Sequence, residues 1–102
     1  MKVNNMAFDN INNYFEKLVF EVIQKKLSNN QLDNDEDFLG DIACVALNQL
    51  PARYVRHNVD MVFYMTTEER EQNQVVVEEA VEMAIDYVEK HRHSDRPETI
   101  NQ

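Results

Sequence analysis

Eight apolar residues, Ile11, Tyr14, Phe15, Leu18, Val19, Val22, Ile23 and Leu27, recur at spacings of three and four, and this one stripe commits the first third of the chain to an amphipathic helix. The spacing predicts a helix over 9–27. Asp9 or Asn10 is placed to cap its first amides, and Lys25 and Lys26 suit the negative end of its dipole. The polar segment from Ser28 to Gln31 ends the pattern, and only Leu32 interrupts the polar run that continues to Asp37.

A second helix is expected to start within Asp33 to Asp37, whose acids favour a helix N-terminus, and to run to about Gln49. Phe38, Leu39, Ile42, Ala43, Cys44, Val45, Ala46, Leu47 and Leu50 are too widely distributed for one shallow stripe, which predicts a nearly central helix. Pro51 stops it or begins a new turn. Residues 52–66 lose the helical period and gain aromatic and β-branched residues, so a short helix, an extended segment or a small strand pair fits there. Thr66-Thr67-Glu68-Glu69 contains a Thr-x-x-Glu capping box, which predicts a last helix from near residue 67 to about His91.

That last helix carries Val75, Val76, Val77, Ala80, Val81, Met83, Ala84, Ile85, Tyr87 and Val88, more than one core-facing arc. Either it is deeply buried, or its second side packs on another subunit. In a chain of 102 residues, whose own core is small, we expect a homodimer, intertwined or packed through helices. The expected architecture is mainly α: one helical domain over 1–93, a short extended stretch within 52–66, and a mobile tail over 94–102.

Composition removes several chemistries. The single Gly40 leaves no glycine-built phosphate loop, and the single Cys44 allows neither an internal disulfide nor a cysteine-based zinc knuckle. With 10 Lys+Arg against 19 Asp+Glu, the net charge of −9 opposes direct DNA binding, which needs clustered cations. No apolar run is long enough for a membrane span, the start lacks a signal-like apolar core, and one cysteine suits a reducing compartment; a cytoplasmic protein is the expectation.

Asp33-Asn34-Asp35-Glu36-Asp37 looks like the start of a calcium loop, but Phe38 and Cys44 stand where Gly and a bidentate Glu belong, so an acidic helix start is the better reading. His91 and His93 form a His-x-His pair that, with His57 the only other histidine, does not close a metal site; no metal and no cofactor are expected. Cys44 sits in the most apolar stretch and reads as a buried, inert thiol rather than a partner of His57 in catalysis. No carboxylate pair and no Ser–His–Asp order stands out, so the chain does not read as an enzyme.

The informative feature is an absence. Between Asp41 and Asp60 lie eighteen residues without Asp or Glu, and Arg53, Arg56 and His57 fall in their second half beside Tyr54. Arginine offers a planar donor fork for phosphate, and tyrosine a π-face, so a small phosphorylated ligand fits this island. The plainer alternative is that Arg53 and Arg56 pair with acids of neighbouring helices.

The run Ala46-Leu47-Asn48, Leu50-Pro51 and Tyr54, preceded by one amphipathic helix and followed by another, resembles the signature of the late-competence ComFB family over roughly residues 10–90. The resemblance implies a non-enzymatic, dimeric bacterial regulator whose relatives are receptors for cyclic dinucleotide second messengers. The positions it carries over are Asp41, Asn48, Leu50, Pro51, Arg53 and Tyr54, with Arg56 adjacent. In that role Arg53 and Arg56 would meet phosphate or guanine, Asn48 or Asp41 would bond a base edge or brace the turn, and Tyr54 would stack. Two departures stand out. Ala52 replaces the family's second proline, and residues 28–40 lack the cysteine cluster that looks metal-binding in some members, so zinc is not carried over. A ligand-free helical adaptor is the alternative, in which the last helix docks a partner protein.

Overall fold

A computed structural model describes residues 10–56 and 65–95, with side chains through Arg92. The described elements are β1 (Asn12–Asn13), α1 (Tyr14–Ser28), α2 (Glu36–Asn48), β2 (Tyr54–Val55) and α3 (Thr67–Asp95), so the chain is mainly helical, with a two-stranded sheet among the described residues. His57 and the Met61–Tyr64 run, like the expected tail beyond residue 95, lie outside the described residues.

Helix α1 starts later than the apolar stripe suggests. Ile11 is exposed and Asn12–Asn13 is extended, and the cap is Asn13, whose Oδ1 accepts from the Phe15 amide at 3.1 Å. Asp9 and Asn10 precede the extended residues and are too early to cap. At the other end Asn30 adopts φ 58°, a left-handed conformation that asparagine tolerates. There the Gln31 amide bonds the Lys26 carbonyl at 2.9 Å and the Asn30 amide bonds that of Leu27 at 3.1 Å. These paired bonds satisfy carbonyls that the ended helix would otherwise leave open.

Asp35 caps α2: its Oδ1 accepts from Asp37 N at 3.0 Å and Phe38 N at 3.3 Å. The capping box of α3 forms reciprocally, with Glu69 N donating to Thr66 Oγ1 at 3.0 Å and Thr66 N donating to Glu69 Oε1 at 3.2 Å. Helix α3 then runs four residues past the expected end at His91, through Asp95.

The core is where the three helices meet. Phe15, Val19, Val22 and Ile23 of α1 pack with Phe38, Ile42 and Ala46 of α2 and with Val77, Ala80, Val81, Ala84 and Val88 of α3. Each set repeats at three or four, one face per helix. The expected nearly central α2 is therefore covered on one side. Residues 38, 42 and 46 define its buried line, and Cys44, about 200° around the helix from Ile42, is exposed rather than buried. Helix α3 leaves Val75, Val76, Met83 and Tyr87 exposed beside its buried line.

Candidate functional site

The segment after Pro51 folds back onto the N-terminus of α1. Its strand β2 pairs antiparallel with β1 in the register Asn12 to Val55 and Asn13 to Tyr54, so the small strand pair is the form that 52–66 takes in its described part. Two further bonds hold it. The Tyr14 amide donates to the Arg53 carbonyl at 2.7 Å, and the Arg53 amide donates to Asn13 Oδ1 at 3.2 Å. Asn13 thus caps α1 and grips the incoming segment with one oxygen, since a carboxamide oxygen has two lone pairs.

Because alternate strand residues face opposite sides, Val55 is half-buried while Tyr54 is 70% exposed. Arg53 and Arg56 are exposed, and among the described residues neither guanidinium has an ion pair. Leu50 packs against the core from the end of α2, and Pro51 and Ala52 are exposed in the connection. Asn48, the last residue of α2, is exposed, and Gln49 is the C-cap in its place, so Asn48 does not cap the helix.

Asp41 stands apart from this ribbon. It lies seven residues, roughly 10 Å along the axis, before Asn48, and lines a groove of about 320 Å³ between α2 and α3 with Cys44, Tyr87, His91 and Arg92. Its neighbours are already engaged: the His91 ring stacks on Tyr87 with centroids 4.0 Å apart, and its Nδ1 lies 2.9 Å from the Tyr87 carbonyl oxygen. Arg92 lies over the Phe38 ring at 4.0 Å and pairs with Asp33 at 3.3 Å and Asp35 at 3.6 Å. The acidic run 33–37 therefore caps a helix and receives an arginine. Among the described residues no three His, Cys, Asp or Glu side chains gather as a metal-binding group.

A larger groove, about 960 Å³, runs between α1 and α3, with Lys25 and Lys26 on one rim and Glu78, Glu79 and Glu82 on the other. Lys26 pairs with Glu82 across it, so its charge is largely compensated within the groove. Neither groove includes Arg53, Tyr54 or Arg56. The structure seats Arg53 through Val55 on β1 and the first residue of α1, and leaves Asp41 in the groove between α2 and α3. Sequence reasoning missed Asn13, because the apolar stripe places it inside the first helix rather than just before it.

The model of the family described as late competence development protein ComFB matches residues 12–92, from the first residue of the ribbon to the Arg92 contact. This chain belongs to the ComFB family. The match takes in the ribbon, α1, α2 and α3 as far as Arg92, which is nearly all of the packed domain described above. No curated protein and no solved structure matches the chain.

Proposed function

We propose that this ComFB-family chain is a non-enzymatic cytoplasmic signalling protein that binds a cyclic dinucleotide, cyclic di-GMP ahead of cyclic di-AMP, and passes the bound state to a partner protein. One observation carries the proposal: in a chain of net charge −9, Arg53 and Arg56, neighbours in sequence of the exposed Tyr54, are themselves exposed and have no ion pair among the described residues. A guanidinium left uncompensated in an acidic chain suits a phosphodiester, and an exposed tyrosine ring suits a base. Asn48, exposed at the end of α2, is a further donor and acceptor for a base edge, whereas Asp41 lines the groove between α2 and α3 and does not meet the same ligand half.

The proposal includes a homodimer, because a two-fold ligand offers equivalent halves to equivalent sites. Val75, Val76, Met83 and Tyr87 supply apolar surface for that contact. No helix of the described residues is long and apolar enough to cross a membrane. The same exposed residues favour the second reading, an adaptor that binds a partner protein and no nucleotide.

Isothermal titration of the full chain with cyclic di-GMP and with cyclic di-AMP tests the reading. Saturable heat is expected, with Arg53→Ala weakening binding at least tenfold and Arg70→Ala, another exposed arginine with no ion pair among the described residues, leaving it within twofold. No heat with either nucleotide at tens of micromolar protein refutes it. Equal losses in both variants would reduce the effect to general charge.

A further inference from the structure

We infer that Asn13 is the positioning residue of the Arg53–Tyr54 ribbon, coupling the place where these side chains stand to the first turn of α1; its bearing on a ligand rests on the function proposed above. The ribbon has few other anchors. Its sheet is two residues long on each side, Tyr54, Pro51 and Ala52 are exposed, and only the half-buried Val55 and, before the ribbon, Leu50 add apolar contact. Asn13 Oδ1 meets the Arg53 amide at 3.2 Å and the Phe15 amide at 3.1 Å, while the next residue, Tyr14, donates its amide to the Arg53 carbonyl at 2.7 Å. Both backbone polar groups of Arg53 are therefore held by residues 13 and 14.

This arrangement is more than a helix cap. An ordinary cap satisfies amides of its own helix, whereas here the same oxygen also takes an amide forty positions away. An aligned carboxamide fixes the backbone of Arg53, and the guanidinium and the Tyr54 ring then start from a defined strand rather than a mobile loop. Coupling is reciprocal: whatever orders the ribbon through Arg53 also protects the first amides of α1, and loosening the cap loosens the ribbon.

Three variants separate the two duties of Asn13. Ser retains a cap oxygen for Phe15 on a shorter side chain, Ala removes the oxygen that accepts from both amides, and Asp keeps an oxygen in its place. Amide hydrogen exchange of the full chain, read at Phe15 and Arg53, and titration with cyclic di-GMP are measured on each. Asn13→Ala is expected to speed exchange at both amides about fivefold or more, Asn13→Ser at Arg53 alone, and Asn13→Asp at neither, as the loss of single hydrogen bonds predicts. Binding by Asn13→Ser should weaken at least threefold while α1 stays capped.

Unchanged exchange at Arg53 in both Asn13→Ala and Asn13→Ser overturns the inference, and so does wild-type affinity in Asn13→Ser with Arg53 exchange accelerated. If the wild type binds no cyclic dinucleotide while exchange follows the expected pattern, the functional reading fails and the positioning role of Asn13 stands. Should Asn13→Ala unfold the chain, the Ser and Asp pair decides the question, because both retain the cap.

Discussion

Replacing Arg92 with alanine tests how the end of α3 is fastened to the start of α2. Three contacts are lost together. The guanidinium lies 4.0 Å from the centroid of Phe38, a ring only 2% exposed, which places the cation–π term at about 1–2 kcal/mol. Its two ion pairs reach Asp33 and Asp35, whose side chains are 73% and 43% exposed, so solvent screening holds them together to about 1 kcal/mol or less. Packing of the alkyl stem adds a smaller amount. A destabilisation of roughly 2–3 kcal/mol follows.

Urea unfolding is the assay. With a slope of about 1–3 kcal/mol per molar for a domain of this size, the midpoint should fall by about 0.7–3 M at unchanged slope. Arg92→Lys keeps a charge but loses the planar stack and fork, and should recover about half of the loss. In about 1 M salt the ion-pair part fades, since the screening length is near 3 Å, while the stacking and packing part persists. A midpoint shift under about 0.2 M for Arg92→Ala would refute the fastening. Full rescue by Lys, with the whole difference vanishing in salt, would refute the share assigned to the ring.

Asp35 divides its oxygens, Oδ1 to the α2 amides and Oδ2 to Arg92. Thermal unfolding should therefore show Asp35→Asn, which keeps the cap, costing less than about 1 kcal/mol and Asp35→Ala about 1–2. Ile42, fully buried between α1 and α3, should cost about 2–5 kcal/mol when cut to alanine, measured by the same urea titration. Two positions further on, Cys44→Ser should change stability by less than about 0.5 kcal/mol, and the wild-type thiol should react with a maleimide in the folded protein; a protected thiol would overturn its exposed placement. Thr66→Ala removes half of the capping box of α3 and should cost about 1 kcal/mol, read as a lowered melting temperature in circular dichroism.

Local signals were legible in the sequence where the bond they predict is local. The Thr-x-x-Glu box and the acidic start of α2 need partners only two or three residues away, and both form. The three apolar lines likewise name most of the core, because a helix's periodicity decides which residues can share a face. Width misled where periodicity alone had to decide burial: nine apolar residues around α2 suggested a central helix, but the packing takes the 38–42–46 line and leaves Cys44 to solvent. The start of α1 was misplaced for a different reason. Asn12 and Asn13 are held extended by Tyr54 and Val55, and no local pattern announces a partner so distant in the chain. Of the candidate site, the cluster Leu50 to Arg56 was legible as an acid-free island, while its support on Asn13 and the separation of Asp41 are properties of the packed chain.

The span between Asn13 and Arg53 also has a consequence for the order of assembly. Closing a loop of forty residues carries an entropic cost that grows with the logarithm of its length, and a ribbon two residues long returns little against it. The ribbon is therefore expected to form late, once docking of α1 and α2 has shortened the effective loop, and to be among the first parts to open as stability falls. The segment bearing Arg53 and Tyr54 would thus report on the whole domain, since its few anchors lie on residues that the helices must first bring near.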